Sequence, residues 1–247
     1  MARQCLFCAN QAKTKEHLFA DSILQILAPP LRPITAVFGN SSPVEIRGDI
    51  EIRCVCRGCN GGWMSDLETK VKPLLSAMIH DISITLSLDD QSAVALWSAK
   101  TAMVLQATIN KHGKRFYTRE ECERLRSHSV IPSRSMIWLG RFSSTGLFSS
   151  GTNLWLNNNL GGETCDGQVA TFAADHLIFQ VLTIRIRNDD GKPMRTICRE
   201  GPWDGSLLGI YPVNQVVTWP PHLSFNERVP LLFSALRDRW KIGTDIG

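Results

Sequence analysis

The sequence has no long hydrophobic run, and its charges are nearly balanced. No stretch of about eighteen apolar residues, the length that a membrane helix needs, occurs in the 247 residues. No membrane span is therefore predicted. Lysine and arginine number 27 against 23 acidic residues, which gives a net charge of +4. A mildly basic balance permits nucleic-acid binding without requiring it.

Secretion signals, internal repeats and low-complexity runs are also lacking. Met1 is followed by Ala2, Arg3 and Gln4, and no apolar signal segment comes behind them. The sequence therefore predicts a cytoplasmic protein, in which cysteines stay reduced. Reduced cysteines do not form disulfides, so the 8 cysteines of the chain are candidates for metal ligands.

Four of the cysteines form two Cys-x-x-Cys pairs, Cys5 with Cys8 and Cys56 with Cys59. Two intervening residues let both thiolates of a pair reach one ion, and two such pairs complete a tetrahedral zinc shell. A redox role is disfavoured because neither pair is expected to open a helix after an apolar strand. Cys54 is an alternative ligand, but the two-residue spacing favours Cys56. The sequence predicts one zinc ion held by four thiolates.

This zinc is expected to be structural, because four thiolates leave no open position for water or substrate. It would join the start of the chain to the second cysteine pair across a long intervening loop. The scattered thiols Cys122, Cys165 and Cys198 are interpreted as ordinary side chains. Chemistry is then expected beside the zinc ion.

Three polar residues lie close to the cysteine pairs. Glu16 and His17 follow the first pair after a polar loop, and Asn60 follows Cys59 directly. A lone histidine is more often an ordinary core or surface residue. A carboxylate, an imidazole and an amide together are the groups that a metal-dependent phosphodiesterase uses. The presence of all three residue types near the cysteine pairs therefore favours an active site.

In order and spacing, these residues resemble the HNH endonuclease superfamily. The resemblance is to the branch that reads C-x-x-C, then E-H and an apolar residue, then C-x-x-C-N-x-x-W-M-x-x-L-E. The matching positions are Cys5, Cys8, Glu16, His17, Leu18, Phe19, Cys56, Cys59, Asn60, Trp63, Met64, Leu67 and Glu68. The resemblance covers residues 1 to about 75.

The resemblance implies a ββα-metal fold that hydrolyses phosphodiester bonds. His17 matches the general base that activates water, which suits an imidazole with a pKa near neutrality. Glu16 and Asn60 match ligands of a catalytic divalent cation, Mg²⁺ or Mn²⁺. Family precedent favours DNA as the substrate, and RNA is not excluded.

One departure from the family concerns the residue that orients the base. The family usually has Asn or His on the second strand, and residues 47 to 53 contain neither. Asn40, Asp49, Glu51 and a backbone carbonyl are the alternatives for this role. Glu68 falls in a helix predicted from about 62 to 80. There it is interpreted as a solvated acid of the first turns or, alternatively, as an extra metal ligand.

The overall pattern predicts an α+β fold with two domains. Residues 1–88 form the predicted HNH domain with its zinc site. Residues 89–247 form an α+β domain for substrate selection, dimerisation or partner binding. Helices are predicted at about 92–110, at about 118–127 after a capping box, and at 230–240. Strands are predicted at 136–139, 154–156, 169–172 and 177–186, with a further strand at 194–198.

Together with the resemblance, these observations predict a zinc-stabilised, metal-dependent HNH endonuclease acting on DNA. Restriction or antiphage defence and mobile-element maintenance are two settings that fit, and the sequence does not decide between them. A homodimer, or a protein partner bound through residues 92–247, is expected by analogy with HNH enzymes that cut both strands. One alternative is a zinc module that binds nucleic acid or protein without cleaving. The other is a nuclease subunit that stays latent until a partner engages the C-terminal domain.

Overall fold

The structure is a computed structural model that describes residues 3–17, 21–27, 34–38, 44–46, 51–109, 115–143, 146–158, 164–186, 207–225 and 240–244. Helices and mainly antiparallel strands make up these ranges, which confirms the predicted α+β class. Among the described helices, none has both the length and the hydropathy of a membrane-spanning segment.

The N-terminal elements are arranged around a short two-stranded ribbon. In chain order they are β1 (Thr14–His17), α1 (Asp21–Ile26), β2 (Ile34–Phe38), β3 (Val44–Ile46), β4 (Glu51–Val55), α2 (Arg57–Cys59), α3 (Ser65–Ile79) and β5 (Ile84–Leu86). The ribbon is β1 paired antiparallel with β4, and His17 lies opposite Glu51. A π-helical turn, Asn60–Met64, joins α2 to α3, and non-helical backbone angles at Gly62 mark the kink between them. The helix predicted from about 62 to 80 is thus present as α3.

The remaining elements are two helices and eight strands, of which all but β11 lie in one large sheet. They are α4 (Leu88–Ile109), α5 (Arg119–His128), β6 (Ser135–Phe142), β7 (Leu147–Asn158), β8 (Thr164–Ala174), β9 (Leu177–Ile186), β10 (Leu207–Tyr211), β11 (Val217–Trp219), β12 (Ser224–Phe225) and β13 (Trp240–Thr244). The nine-stranded sheet has the order β10-β6-β9-β8-β7-β2-β3, with β12 on β6 and β13 on β7. Strands β6 to β9 confirm the predicted strands between 136 and 186.

Two predictions of the sequence fall largely outside the described residues. The strand predicted at 194–198 lies entirely there. Of the helix predicted at 230–240, only Trp240 is described, and it begins strand β13. The capping box predicted for α5 is present, since Thr118 and Glu121 exchange side-chain and backbone hydrogen bonds.

Strands and helices make contacts across residue 88, the predicted end of the first domain. Strand β2 pairs in parallel with β7, and β5 pairs with β11. Helix α4 begins at Leu88, where the backbone N–H of Ser87 donates to Asp90 Oδ2 at 3.0 Å and that of Asp90 donates to Ser87 Oγ at 3.1 Å. Helix α4 therefore begins four residues before the predicted start at about 92. The division into domains 1–88 and 89–247 stays a prediction.

Helix α4 joins the large sheet to the N-terminal elements. Its Trp97 is buried, and its ring centroid lies 4.9 Å from that of Phe179 on β9. Phe179 in turn stacks on Phe172 of β8 at 4.8 Å. A single buried cluster runs from Cys5 to Trp219 and includes residues of all these elements. Helix α4 therefore fixes the β1–β4 ribbon relative to the sheet, and Lys100 lies on it three residues after Trp97.

Candidate metal centre and the residues beside it

The structure brings Cys5, Cys8, Cys56 and Cys59 into one buried cluster. Their Sγ atoms all lie within 4.8 Å of one another. The Sγ atoms of Cys8 and Cys56 are 3.5 Å apart, and those of Cys59 and Cys8 are 3.6 Å apart. A tetrahedral zinc ion with Zn–S bonds of about 2.3 Å separates its sulfurs by about 3.8 Å. The four thiols therefore fit the predicted zinc ion in number, chemistry and spacing.

A small loop at the chain start carries the first cysteine pair. Gln4 bridges to Gln11, and the N–H of Cys5 donates to the carbonyl of Asn10 at 2.7 Å. The N–H of Leu6 donates to the Cys54 carbonyl at 2.8 Å, which attaches this loop to β4. The backbone thus brings the two pairs together through hydrogen bonds that do not involve the thiols.

The second pair opens helix α2 directly after strand β4. Cys56 is the N-cap of α2, and the N–H of Cys59 donates to Cys56 Sγ at 3.4 Å. This pair does open a helix after a strand, but β4 is not the apolar strand of the redox pattern, because Glu51 and Arg53 are exposed on it. A redox role is further disfavoured because all four thiols converge, as zinc ligands do.

Hydrogen bonds to sulfur prepare Cys56 to bind a metal as a thiolate. Burial alone would raise its pKa, but the Cys59 N–H and the neighbouring thiols lower the pKa of Cys56 to about 6. Cys54 contrasts with it, because burial raises the pKa of that thiol to about 12. Cys54 lies outside the four-thiol cluster and inside the core. In the structure, Cys56 and not Cys54 belongs to the four-thiol cluster that could hold a metal.

Acid is expected to release zinc from this cluster, because protons compete with the metal for thiolates. The stability that zinc supplies is then present at neutral pH and lost in acid, where protons displace the metal from the thiolates. A zinc indicator dye, read alongside near-UV circular dichroism during a pH titration, checks this. Zinc that stays bound in strong acid, or leaves at pH 8, would contradict the four-thiolate assignment.

Adjacent residues of β1 turn Glu16 and His17 to opposite faces of the ribbon. Successive side chains of a strand alternate, and Glu16 is 5% exposed whereas the His17 side chain is 27% exposed. His17 Nε2 lies 3.8 Å from Glu51 Oε1. Glu51 also binds Lys15, and this bond lowers the pKa of the Glu51 carboxyl. Of the side chains proposed to orient His17, Glu51 is the one that lies opposite it, while Asn40 and Asp49 lie outside the described residues.

Asn60 reaches back from the helical end of the second pair to strand β1. Its Nδ2 donates to the backbone carbonyl of Lys15 at 3.1 Å. That bond uses the nitrogen of the amide and directs Oδ1 away from the same carbonyl. Hard divalent cations such as Mg²⁺ bind carboxamide oxygens of this kind. The structure therefore brings Asn60 to the strand that carries His17.

Glu16 points into the interior, where it meets Lys100 of α4. Lys100 Nζ lies 3.1 Å from Glu16 Oε1 and 2.8 Å from Glu68 Oε1. Lys100 is only 2% exposed. Burial raises the pKa of the Glu16 carboxyl, and the positive charge of Lys100 offsets only part of this increase. Burial would also disfavour the ammonium, but the two carboxylates outweigh it and raise the pKa of Lys100.

Lys100 is the residue of this region that the sequence reasoning missed. A signal was present, since Lys100 is the one charged residue between Ser92 and Asn110, in a helix otherwise built of apolar and small polar residues. A charged residue on a buried helix face needs a partner. Glu68, interpreted as a solvated acid or an extra metal ligand, is partly buried and bonded to this lysine.

Comparison of the chain with protein-family models finds no match, and neither curated proteins nor solved structures yield one. The resemblance to HNH endonucleases therefore rests on the spaced residues of the N-terminal region.

Proposed function

We propose that this protein is a zinc-stabilised HNH endonuclease that hydrolyses phosphodiester bonds of DNA with a divalent cation. The observation that carries the proposal is the hydrogen bond from Asn60 to the Lys15 carbonyl of strand β1, two residues before His17. The strand belongs to a two-stranded ribbon followed by a helix, and four converging thiols hold the start and the end of this unit together. Two paired strands and a following helix are the elements that a ββα-metal fold requires, and α1, β2 and β3 are inserted here between the two strands.

His17 is the proposed general base, taking a proton from the water that attacks the phosphodiester. The Glu51 carboxylate, 3.8 Å from Nε2, favours the imidazolium that results. This distance is too long for a hydrogen bond and short enough for a substantial charge interaction. The side chain remains partly exposed, so a phosphate can approach it.

Asn60 is the proposed protein ligand of the catalytic cation. Mg²⁺ keeps several waters and is often bound through one or two protein groups plus substrate phosphates. Among the described residues, the four cysteines are the only group of three or more His, Cys, Asp or Glu side chains placed to hold an ion. A site completed by substrate phosphates suits this donor set. When bound, the cation would neutralise charge on the leaving oxygen.

Substitution of Asn60 tests its role as a ligand. Asn60→Ala is expected to raise the concentration of Mn²⁺ needed for half-maximal cleavage by at least about tenfold, since even an outer partner of a metal has that effect. The zinc content should not change. Metal titration of the cleavage rate, with zinc measured on the same samples, checks this. An unchanged Mn²⁺ requirement would remove Asn60 from the metal site.

The activity itself is tested with end-labelled duplex DNA, single-stranded DNA and RNA. Each is incubated with zinc-loaded protein and Mg²⁺ or Mn²⁺, and binding is measured in parallel by gel shift. Metal-dependent cleavage of DNA supports the proposal, and cleavage of RNA alone would change its substrate. Restriction or antiphage defence is the proposed setting, and phage challenge of cells that express the protein tests it.

A zinc-containing binding module is the second candidate function. Lys100 favours it, because its ammonium occupies the Glu16 carboxylate that the resemblance assigns to the catalytic cation. In this case the gel shift would appear without cleavage under any metal. A latent nuclease is distinguished by cleavage that appears only after a partner or cell extract is added.

A further inference from the structure

Three separate elements meet at the buried Lys100 ammonium. Glu16 comes from strand β1, Glu68 from helix α3, and Lys100 from helix α4. Both carboxylates are within hydrogen-bonding distance of Nζ, at 3.1 and 2.8 Å. Glu16 and Glu68 belong to the region that carries the HNH resemblance, whereas Lys100 lies beyond it. The Lys100 side chain thus joins the N-terminal site directly to helix α4.

The geometry of β1 relates this buried contact to the exposed site. Glu16 immediately precedes His17, so any displacement of the Glu16 anchor moves the backbone that carries the imidazole. Glu68 lies on α3, which follows the turn that begins with Asn60. An ammonium bonded to both carboxylates therefore limits how far β1 can separate from this helix.

The burial of the contact also bears on the role of Glu16. A divalent cation at Glu16 Oε1 would have to displace a lysine that is 2% exposed from a carboxylate that is 5% exposed. The ammonium already supplies the positive charge that this carboxylate needs, since buried charges are tolerated when paired. Glu16 is therefore better placed to anchor β1 than to bind a cation from solvent.

We propose that Lys100 is a positioning residue of the nuclease site, which holds β1 against α3 through Glu16 and Glu68 so that His17 and Asn60 share one substrate. This inference rests on the proposed function. In this proposal Glu16 holds the general base His17 in position and does not bind the cation. The proposal also makes α4, outside the resembling region, part of the working site.

Lys100→Met tests the proposal by removing the charge while keeping an unbranched side chain. Two buried carboxylates are left without a cation, so the melting temperature should fall by about 10 °C. Displacement of His17 should lower kcat by about tenfold to a hundredfold with little change in KM. The matched control is Lys70→Met, because Lys70 is an exposed lysine of α3. This variant should leave the melting temperature and kcat unchanged.

The double variant Lys100→Met with Glu16→Gln separates support from metal binding. Removing one of the two unpaired carboxylates should recover part of the melting temperature and part of kcat, at an unchanged Mn²⁺ requirement. If the double variant is folded and binds zinc but cleaves more slowly than Lys100→Met alone and needs more Mn²⁺, Glu16 acts as a metal ligand and the proposal is overturned. It is equally overturned if Lys100→Met melts and cleaves as the wild type does.

Failure of the proposed function is distinguishable from failure of this inference. A wild-type protein that cleaves no substrate would overturn the nuclease and, with it, the catalytic part of the role of Lys100. The melting temperatures would still decide the structural part. If Lys100→Met melts at a lower temperature and the added Glu16→Gln recovers none of the loss, Lys100 does not hold β1 through Glu16.

Discussion

His17→Ala is expected to lower metal-dependent DNA cleavage by about 10²–10⁴-fold, the usual contribution of a general base. Alanine removes the imidazole that accepts the proton, while β1 keeps its backbone pairing to β4. Since His17 is outside the buried core, the fold and the zinc content should be preserved. Initial cleavage rates at saturating Mg²⁺ or Mn²⁺ measure the effect, and the gel-shift affinity for DNA should change little.

The matched control for this variant is His128→Ala. His128 is an exposed histidine at the end of α5, and its Nδ1 contacts the neighbouring Ser127. This variant should cleave at the wild-type rate. Equal loss of activity in both variants would point to a general effect on the protein. Full activity in His17→Ala, with zinc bound, would remove His17 from the chemistry.

Cys59→Ser is expected to abolish zinc binding and to unfold the N-terminal region. Structural zinc contributes about 10–16 kcal/mol in zinc-finger peptides, which exceeds the free energy of unfolding of many domains. Loss of one thiolate leaves three ligands, so the ion no longer has a closed shell and the stability that zinc supplies is lost. Zinc content by mass spectrometry of the native protein should fall from one ion per chain, and thermal melting should lose its cooperativity.

Cys122→Ala is the control for a cysteine substitution at a buried position. Cys122 is 1% exposed and lies outside the four-thiol cluster. Its replacement should lower the melting temperature modestly, as removal of a small buried group does, and leave one zinc per chain. A Cys59→Ser protein with full zinc and unchanged melting would exclude the four-thiolate centre.

Local spacing accounts for what the sequence could predict. The two-residue spacing of Cys5 with Cys8 and of Cys56 with Cys59 fixes which thiols can share one ion, and the structure brings these four together. The apolar pattern of α4 and the capping box at Thr118 could likewise be predicted, because each depends on residues that are close together in the sequence. The HNH resemblance itself remains a proposal, because it concerns chemistry that geometry alone does not test.

Contacts between distant residues account for what the sequence could not predict. The pairing of β2 with β7 joins residues more than 100 positions apart, and no local pattern specifies such a partner. The sequence places Glu16 beside His17, but only the assignment of a strand turns them to opposite faces. Lys100 finds its two carboxylates 84 and 32 positions away. Its role depends on where α4 crosses the ribbon.

The most direct test of the proposed nuclease is the conversion of supercoiled plasmid by purified protein that carries one zinc per chain. The assay is run with Mg²⁺, with Mn²⁺ and without added cation, so that the structural zinc is retained throughout. The proposed function predicts nicked or linear plasmid only when Mg²⁺ or Mn²⁺ is added. Plasmid that stays supercoiled in all three conditions, with the protein folded and zinc bound, would contradict it.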